Sequence, residues 1–335
     1  MSRHRPLAWA IPIGVLLLFV CFSVMWGRYS ISMGNAVKIL LGGIFPFEKT
    51  WTDAMERVVL SIRLPRILMA MLAGLALSLS GAAYQGVFQN PMASPDILGS
   101  SNGAAFGAAL SILLGLPSAG VMTVSFVTSL LTVMLVYALS RVLKTRRTTG
   151  LILSGIMVGS LFSSGTSFIK LVADPTNQLP AITYWLMGSL SGTDWHTLGV
   201  VVIPLFLGVL PLLLLSWKVD LLSLGDEDAT VLGLDVNRLR RVLVICSTLA
   251  TSSVIATCGL IGWVGLVVPH LARKVMGSSN TGVFPASALF GALFLLVVDD
   301  ICRCAASSEI PIGILTAFVG APFFLALMLK GENHL

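Results

Sequence analysis

Apolar residues run along this chain in long unbroken stretches, not in the short amphipathic periods of a water-soluble fold. No Asp, Glu, Lys or Arg falls within the windows 6–27, 67–95, 97–140, 148–169, 195–217, 242–272, 275–298 and 310–329. A helix of about 20 apolar residues crosses a bilayer core, so every window is long enough for at least one passage. Unpaired backbone amides are too costly in hydrocarbon, and for runs of this length the spanning form that satisfies them is the helix. The pattern predicts an all-α, polytopic membrane protein.

Charge then counts the passages. Lys and Arg near span ends tend to stay on the cytoplasmic side. The 242–272 window is generous for one passage and tight for two. Ten passages with both termini cytoplasmic place 13 of the 21 Lys and Arg inside and 8 outside, whereas a single passage there gives 11 and 10. Ten spans are therefore expected, with a turn near Gly259 to Gly262, where helix propensity is poorest. One basic cytoplasmic loop is Arg141, Lys144, Arg146 and Arg147; Lys218, Arg238, Arg240 and Arg241 flank another. Behind Arg3, His4 and Arg5, the first apolar run is too long for a usual signal core and has no clear cleavage site, so it reads as an uncleaved span. The segment 175–193, opened by Pro175, Asn177, Gln178 and Pro180, is expected to lie at the membrane surface or to re-enter it as a short helix carrying Tyr184 and Trp185.

Composition narrows the classes. Charged residues make up only 11% and apolar residues 56%, which excludes an ordinary cytosolic enzyme and a disordered chain. The net charge of +6 is scattered over short loops, so it does not mark a nucleic-acid partner. The five cysteines show no metal-binding spacing; Cys302 and Cys304 read as packing, and no metal site is expected. Six of the external cations, Arg28, Lys38, Lys49, Arg57, Arg63 and Arg66, crowd into the first outside segment, about 28–63 and its edge. That excess fits either a solvated loop touching lipid headgroups or a docking surface for an acidic partner.

Small residues recur at every fourth position: Ala70, Gly74, Ser78, Ala82, Gly86; Gly99, Gly103, Gly107, Ser111, Gly115; and Gly155, Gly159, Ser163, Ser167. Such ladders let helices approach closely in lipid, and they also fit the lining of a pathway. Asp299 and Asp300 precede Arg303 by four and three residues, which predicts an internal ion pair at the outer end of the ninth span. Spans one to six hold no charge well inside them, and His4, His196, His270 and His334 are scattered, which disfavours an ion-coupled carrier. No H-E-x-x-H, no G-x-S-x-G and no paired buried carboxylates occur, so no catalytic residue is assigned. No phosphate loop of the form G-x-x-x-x-G-K-S/T occurs either, so energy for uphill movement must come from another polypeptide.

The entry point for that energy is the loop LLSLGDEDATVLGLDV, Leu221 to Val236. Asp226, Glu227 and Asp228 suit a helix N-terminus, Gly233 a stop, and Leu221, Leu222, Leu224, Val231 and Leu232 an apolar face. This is the composition of a helix seated in the groove of a motor subunit.

At this point the sequence resembles a known family. IRLPR at Ile62 to Arg66, SGAAYQGVFQNPMASPDILGSSNGAAFG from Ser80 to Gly107, SLGDEDATVLG at Ser223 to Gly233, GLIGWVGLVVPHLAR from Gly259 to Arg273 and EIPIGILTAFVGAPFF from Glu309 to Phe324 are similar to the permease subunits of the iron-chelate, haem and cobalamin uptake family, the type II ABC importers. The blocks keep the family's order and cover nearly the whole chain.

The resemblance implies one permease domain over 1–335 with a coupling loop at about 219–237, in the bacterial cytoplasmic membrane. It implies two ATPase subunits that use ATP and Mg, no cofactor in this chain, a periplasmic or lipoprotein substrate-binding protein, and a second permease copy or homologue. Leu224, Gly225, Glu227, Ala229 and Gly233 are the implied coupling residues, with Asp228 replacing a small residue of the broader signature. Arg63, Arg66 and Arg303 match the arginines that receive glutamates of the binding protein. Ser154, Gly155, Gly159, Ser163 and Ser164 are implied to line the path, and His270 to have a structural or gating part. Family frequency favours ferric siderophore as cargo over haem or cobalamin.

Overall fold

The computed structural model describes residues 5–42, 45, 47–142 and 147–331, and no strand occurs among them. Lys144 and Arg146 of the basic loop, and Arg3, His4 and His334, lie outside the described residues. The helices are α1 (Arg5–Met25), α2 (Met33–Leu41), α3 (Asp53–Arg57), α4 (Leu64–Phe88), α5 (Ser100–Leu113), α6 (Ser118–Val142), α7 (Arg147–Val172), α8 (Gln178–Leu186), α9 (Trp195–Leu214), α10 (Ser216–Leu222), α11 (Asp226–Val231), α12 (Val236–Cys258), α13 (Val264–Met276), α14 (Asn280–Cys304) and α15 (Ile312–Gly331). A π-helical turn, Val58–Arg63, joins α3 to α4, so 53–88 is one helical rod; a 3₁₀ turn, Pro95–Leu98, precedes α5.

Among the described residues, six stretches are long and apolar enough to cross a membrane: Asp53–Phe88, Ser118–Val142, Thr149–Val172, Trp195–Leu214, Val236–Cys258 and Asn280–Cys304. Shorter apolar helices lie at Trp9–Met25 in α1 and Ile312–Ala326 in α15, and α5 and α13 would have to complete the ten expected passages. Two of these are short. With 14 and 13 residues, α5 and α13 rise only about 20 Å, less than a hydrocarbon core of about 30 Å. Irregular backbone would have to complete them, which a bilayer tolerates only where protein or water surrounds it. The expected turn after α12 is present: Gly259 caps the helix at φ +71°, and Trp263 adopts φ +70° before α13 begins.

Helix α4 is the axis of the core. It packs on α14, α12, α13 and α9, and its small residues are what allow this. A Cβ at Gly81 would stand 1.8 Å from the Gly265 carbonyl oxygen, and one at Gly74 would stand 2.0 Å from that of Gly291. Ser78 Oγ donates to the Ser287 carbonyl at 2.6 Å, sealing α4 to α14. Without apolar burial to drive association in lipid, this backbone proximity supplies the van der Waals contact that holds the bundle. The second small-residue series departs from its expectation at both ends: Gly99 and Gly115 lie just outside α5 at φ +72° and +68°, so only Gly103, Gly107 and Ser111 act as helix-packing positions.

Helix α8 forms in the segment expected to lie flat or re-enter. Gly188 and Met187 accept hydrogen bonds from Ile312 and Gly313, and the Ser189 amide donates to the Cys258 carbonyl, which fixes α8 to α12 and α15. Beside it is a cavity of about 650 Å³ between α5, α6, α8, α9 and α12, lined by Met122, Trp185, His196 and Thr257 among others.

Candidate functional site: a tethered surface helix and a buried arginine network

The two ends of the bundle carry the candidate residues. At one end, the chain turns from α10 into α11 at Gly225 (φ +112°) and from α11 toward α12 at Gly233 (φ +85°). The Ala229 side chain is fully buried with Leu222 and Val236, a small core that leaves no room for a larger residue there. The opposite face is exposed: Glu227 and Asp228 lie beside Leu224, Val231 (86% exposed) and Leu232.

Three polar tethers tie this module to the spans. Arg240 of α12 donates Nη1 and Nη2 to the two Asp226 carboxylate oxygens at 2.6 and 2.7 Å, a bidentate pair. Asp220 accepts from the Asn280 amide (2.6 Å), from Asn280 Nδ2 (2.9 Å) and from Ser279 Oγ (2.8 Å), fastening α10 to the start of α14. Gln89, in left-handed conformation at the end of α4, donates Nε2 to the Leu222 carbonyl at 2.6 Å. Composition exposed α11; it did not reveal these tethers. The sequence did not single them out, since Asp220 stands two residues from Lys218 and Arg240 beside Arg238 and Arg241.

At the other end, Arg63, Arg66 and Arg303 are brought together, and all three point inward. Arg66 donates Nε and Nη2 to Asp299 (2.7–3.1 Å) and Nη2 also to Glu309. Arg303 donates to Asp300 and to Ser23 Oγ (2.9 Å), and Ser23 Oγ in turn donates to Asp300 at 2.6 Å. Arg63 caps the end of α1, donating to the carbonyls of Val24, Met25 and Tyr29; a side chain at Gly27 would collide with its guanidinium. The ion pair of Asp299 and Asp300 with Arg303 is present as expected, and Asp299 is shared with Arg66. Ser23 and Glu309 are members that sequence spacing could not find, because their partners are hundreds of residues away.

Exposed cations on this end are others: Arg28, Lys49 and Arg57. Lys49 meets Asp53 at 2.7 Å and Glu56 at 3.1 Å, and these carboxylate hydrogen bonds raise its ammonium above the usual lysine range.

The five path residues divide. Ser154, Gly155 and Gly159 are buried, because α7 receives the 95–102 turn there: a Cβ at Gly155 would meet the Ile97 carbonyl, and one at Gly159 would meet Asn102 Nδ2. They pack within the chain and line no open face of it. Ser163 and Ser164 are exposed, in a band with Ile156, Met157, Leu161, Phe168 and Leu171. His270 sits part-exposed on α13 near Arg273, which donates to Gln85 of α4. Among the described residues, no cluster of three or more His, Cys, Asp or Glu could hold a metal.

A multi-pass helical bundle with an exposed, tethered acidic helix at one end defines a membrane transport subunit. The chain belongs to the FecCD transport family, whose description it matches over residues 15–330. It is 37% identical over 320 residues to the molybdate import permease MolB of Haemophilus influenzae, covering 95% of this chain and 94% of that one. It is 38% identical over 311 residues to the cobalamin import permease BtuC of Halobacterium salinarum, covering 89% and 83%. A protein of Helicobacter pylori named a probable iron chelatin transport system permease is 37% identical over 330 residues, covering 98% of each chain. A solved structure, described as an inward-facing conformation of a putative metal-chelate type ABC transporter, superposes with a TM-score of 0.86 at 35% identity, covering 96% of this chain and 99% of that one. The chain is thus an ABC importer permease with the type II fold, a non-catalytic membrane subunit powered by a separate ATPase.

Proposed function

We propose that this permease moves a bulky iron chelate of the siderophore class inward across the bacterial cytoplasmic membrane, with both termini cytoplasmic and α11 facing the cytoplasm. Two such bundles, or one and a homologue, form the gate between two ATPase subunits and an external binding protein. The carrying observation is the α10–α11 module, whose exposed acidic and apolar face is open to a partner while Arg240, Asp220 and Gln89 hold it to α12, α14 and α4. Force applied to α11 passes directly into three spans. Burying Leu224, Val231 and Leu232 in a motor groove contributes about 2 kcal/mol for each side chain.

At the external end, Arg28, Lys49 and Arg57 give a binding protein its first electrostatic contact. Arg63 is held by backbone carbonyls. Arg66 and Arg303 serve a docked partner from the rim of this network, where Arg66 exchanges the part-exposed Glu309 for one of the partner's carboxylates while Asp299 and Asp300 stay in place. The cargo assignment rests on the iron chelatin relative and the metal-chelate structural neighbour.

Reconstitution tests the reading. Vesicles holding the permease, the ATPase subunits and the binding protein are expected to accumulate a ferric hydroxamate chelate only with internal-face ATP. Accumulation by the permease alone under an imposed ion gradient would refute ATP-driven transport. Uptake of cobalamin or molybdate in place of the iron chelate would overturn the cargo.

A further inference from the structure

The turn between α4 and α5 puts a carboxylate where a membrane protein rarely leaves one. Its depth follows from its seat. The Ile97 carbonyl and Gly99 rest on Gly155 and Gly159 of α7, eight and twelve residues from that helix's start at Arg147. At 1.5 Å per residue this is about 12–18 Å in from that end of a helix about 39 Å long. On its other side, Pro95 meets Gly265 of α13 at the level where Gly265 crosses Gly81. The turn therefore lies well inside the hydrocarbon zone, enclosed by α4, α7 and α13.

Asp96 stands on this turn with its side chain exposed on the surface of the chain. Its hydrogen-bond partner among the described residues is Ser101 Oγ, and no Lys or Arg stands on α5 or in 148–169 of α7 to neutralise it. The turn itself is firmly built: the Gly99 amide donates to the Asp96 carbonyl (2.8 Å) and Ser100 Oγ to the Pro95 carbonyl (3.2 Å). Intramembrane carboxylates are costly against lipid and occur where they meet water, a cation or a polar partner. Irregular backbone at this depth obeys the same restriction.

We propose that Asp96 faces the aqueous route of the assembled permease and sets its charge preference, admitting cargo with cationic or hydrogen-bond-donating groups and repelling anions. This rests on the transport reading and deepens it by naming a path residue whose chemistry bears on cargo. In a homodimer, two Asp96 carboxylates, one from each copy, would act on the same passage.

A thiol beside Asp96 reports both water and charge without needing the native cargo. In the complete transporter in membranes, Ser101→Cys, with Asn102→Cys as a second position, is reacted with cationic and anionic methanethiosulfonates and followed by mass spectrometry. Phe206→Cys on the exposed apolar face of α9 supplies a lipid-facing comparison. The expected result is labelling at 101 or 102 at least tenfold faster than at 206. The cationic reagent should react about fivefold or more faster than the anionic one, and Asp96→Asn in the same background should bring that ratio near unity. Labelling no faster than at 206 would overturn the aqueous placement. A ratio near unity with Asp96 present, or one unchanged by Asp96→Asn, would overturn the charge role. Uptake without ATPase subunits would sink the transport reading while leaving these rates as they are, so the two failures are distinguishable.

Discussion

Each end of this bundle is organised by an arginine bound to an aspartate, and the two pairs do opposite work. Arg66 and Asp299 are enclosed, with side chains 10% and 0% exposed; Arg240 is equally enclosed, but its Asp226 is 52% exposed. The first pair locks α4 to α14 inside the protein, together with Arg303, Asp300 and Glu309. The second holds a surface helix by one edge and leaves its other side for a partner. Similar chemistry is structural where both members lose water and a tether where one keeps it.

Removing one member at each end breaks the comparison most directly. Arg66→Ala leaves the buried Asp299 to Arg303 alone, 3.5 Å away, and takes the guanidinium from Glu309, with an expected loss of about 3 kcal/mol, read as a fall in folded protein and thermal stability in detergent. Arg66→Met with Asp299→Leu should recover most of that loss, because the cost lies in the poorly paired buried charge. No recovery would mean that the pair itself carries the stability.

Gly233→Pro comes next. The ring cannot adopt φ +85°, and the Gly233 amide now bonded to the Thr230 carbonyl (2.9 Å) is lost. An expected loss of about 1–3 kcal/mol is confined to the α10–α11 module. Uptake should fall at least tenfold while the protein still inserts, and normal uptake would count against the coupling role.

Arg240→Ala sharpens the contrast. Solvent screening of Asp226 limits the stability change to about 1 kcal/mol, yet a loosened α11 should let ATP hydrolysis proceed without uptake. Vesicle assays of the two rates check this, and tight coupling in the variant would remove the tether from the mechanism. Smallest in stability is Leu232→Asp: a change within about 0.5 kcal/mol is expected for an exposed site, with weakened copurification of the ATPase subunit.

The sequence showed the spans because hydrophobic length is a direct consequence of bilayer thickness. It showed α11 because exposed Leu224, Val231 and Leu232 are anomalous in a loop. Where it fell short, the missing information was the identity of distant neighbours. Spacing in Gly155 and Gly159 says that something comes close, and only the fold says that it is the 97–102 turn. The arginines of 63, 66 and 303 announce an unusual charge, but their inward direction depends on Ser23 and backbone carbonyls at the end of α1, on Asp299 of α14 and on Glu309 in the segment before α15. Likewise Asp96 reads as an ordinary loop acid until α7 fixes the depth of its turn. The merging of 53–63 into α4 was also illegible, since Arg57 and Arg63 mark it as polar while the backbone continues as helix.

That continuous rod, 53–88, is about 54 Å long, more than a bilayer core is thick. Its upper tip carries Asp53 and Arg57, and its lower tip holds α10 through Gln89. On the proposed orientation, one element would carry both the docking end and the motor end, with no separate sensor and actuator between them. Its π-helical turn at Val58–Arg63 is the one break in the regular α ladder of 53–88, so slack introduced there should cost both ends their communication while leaving each intact.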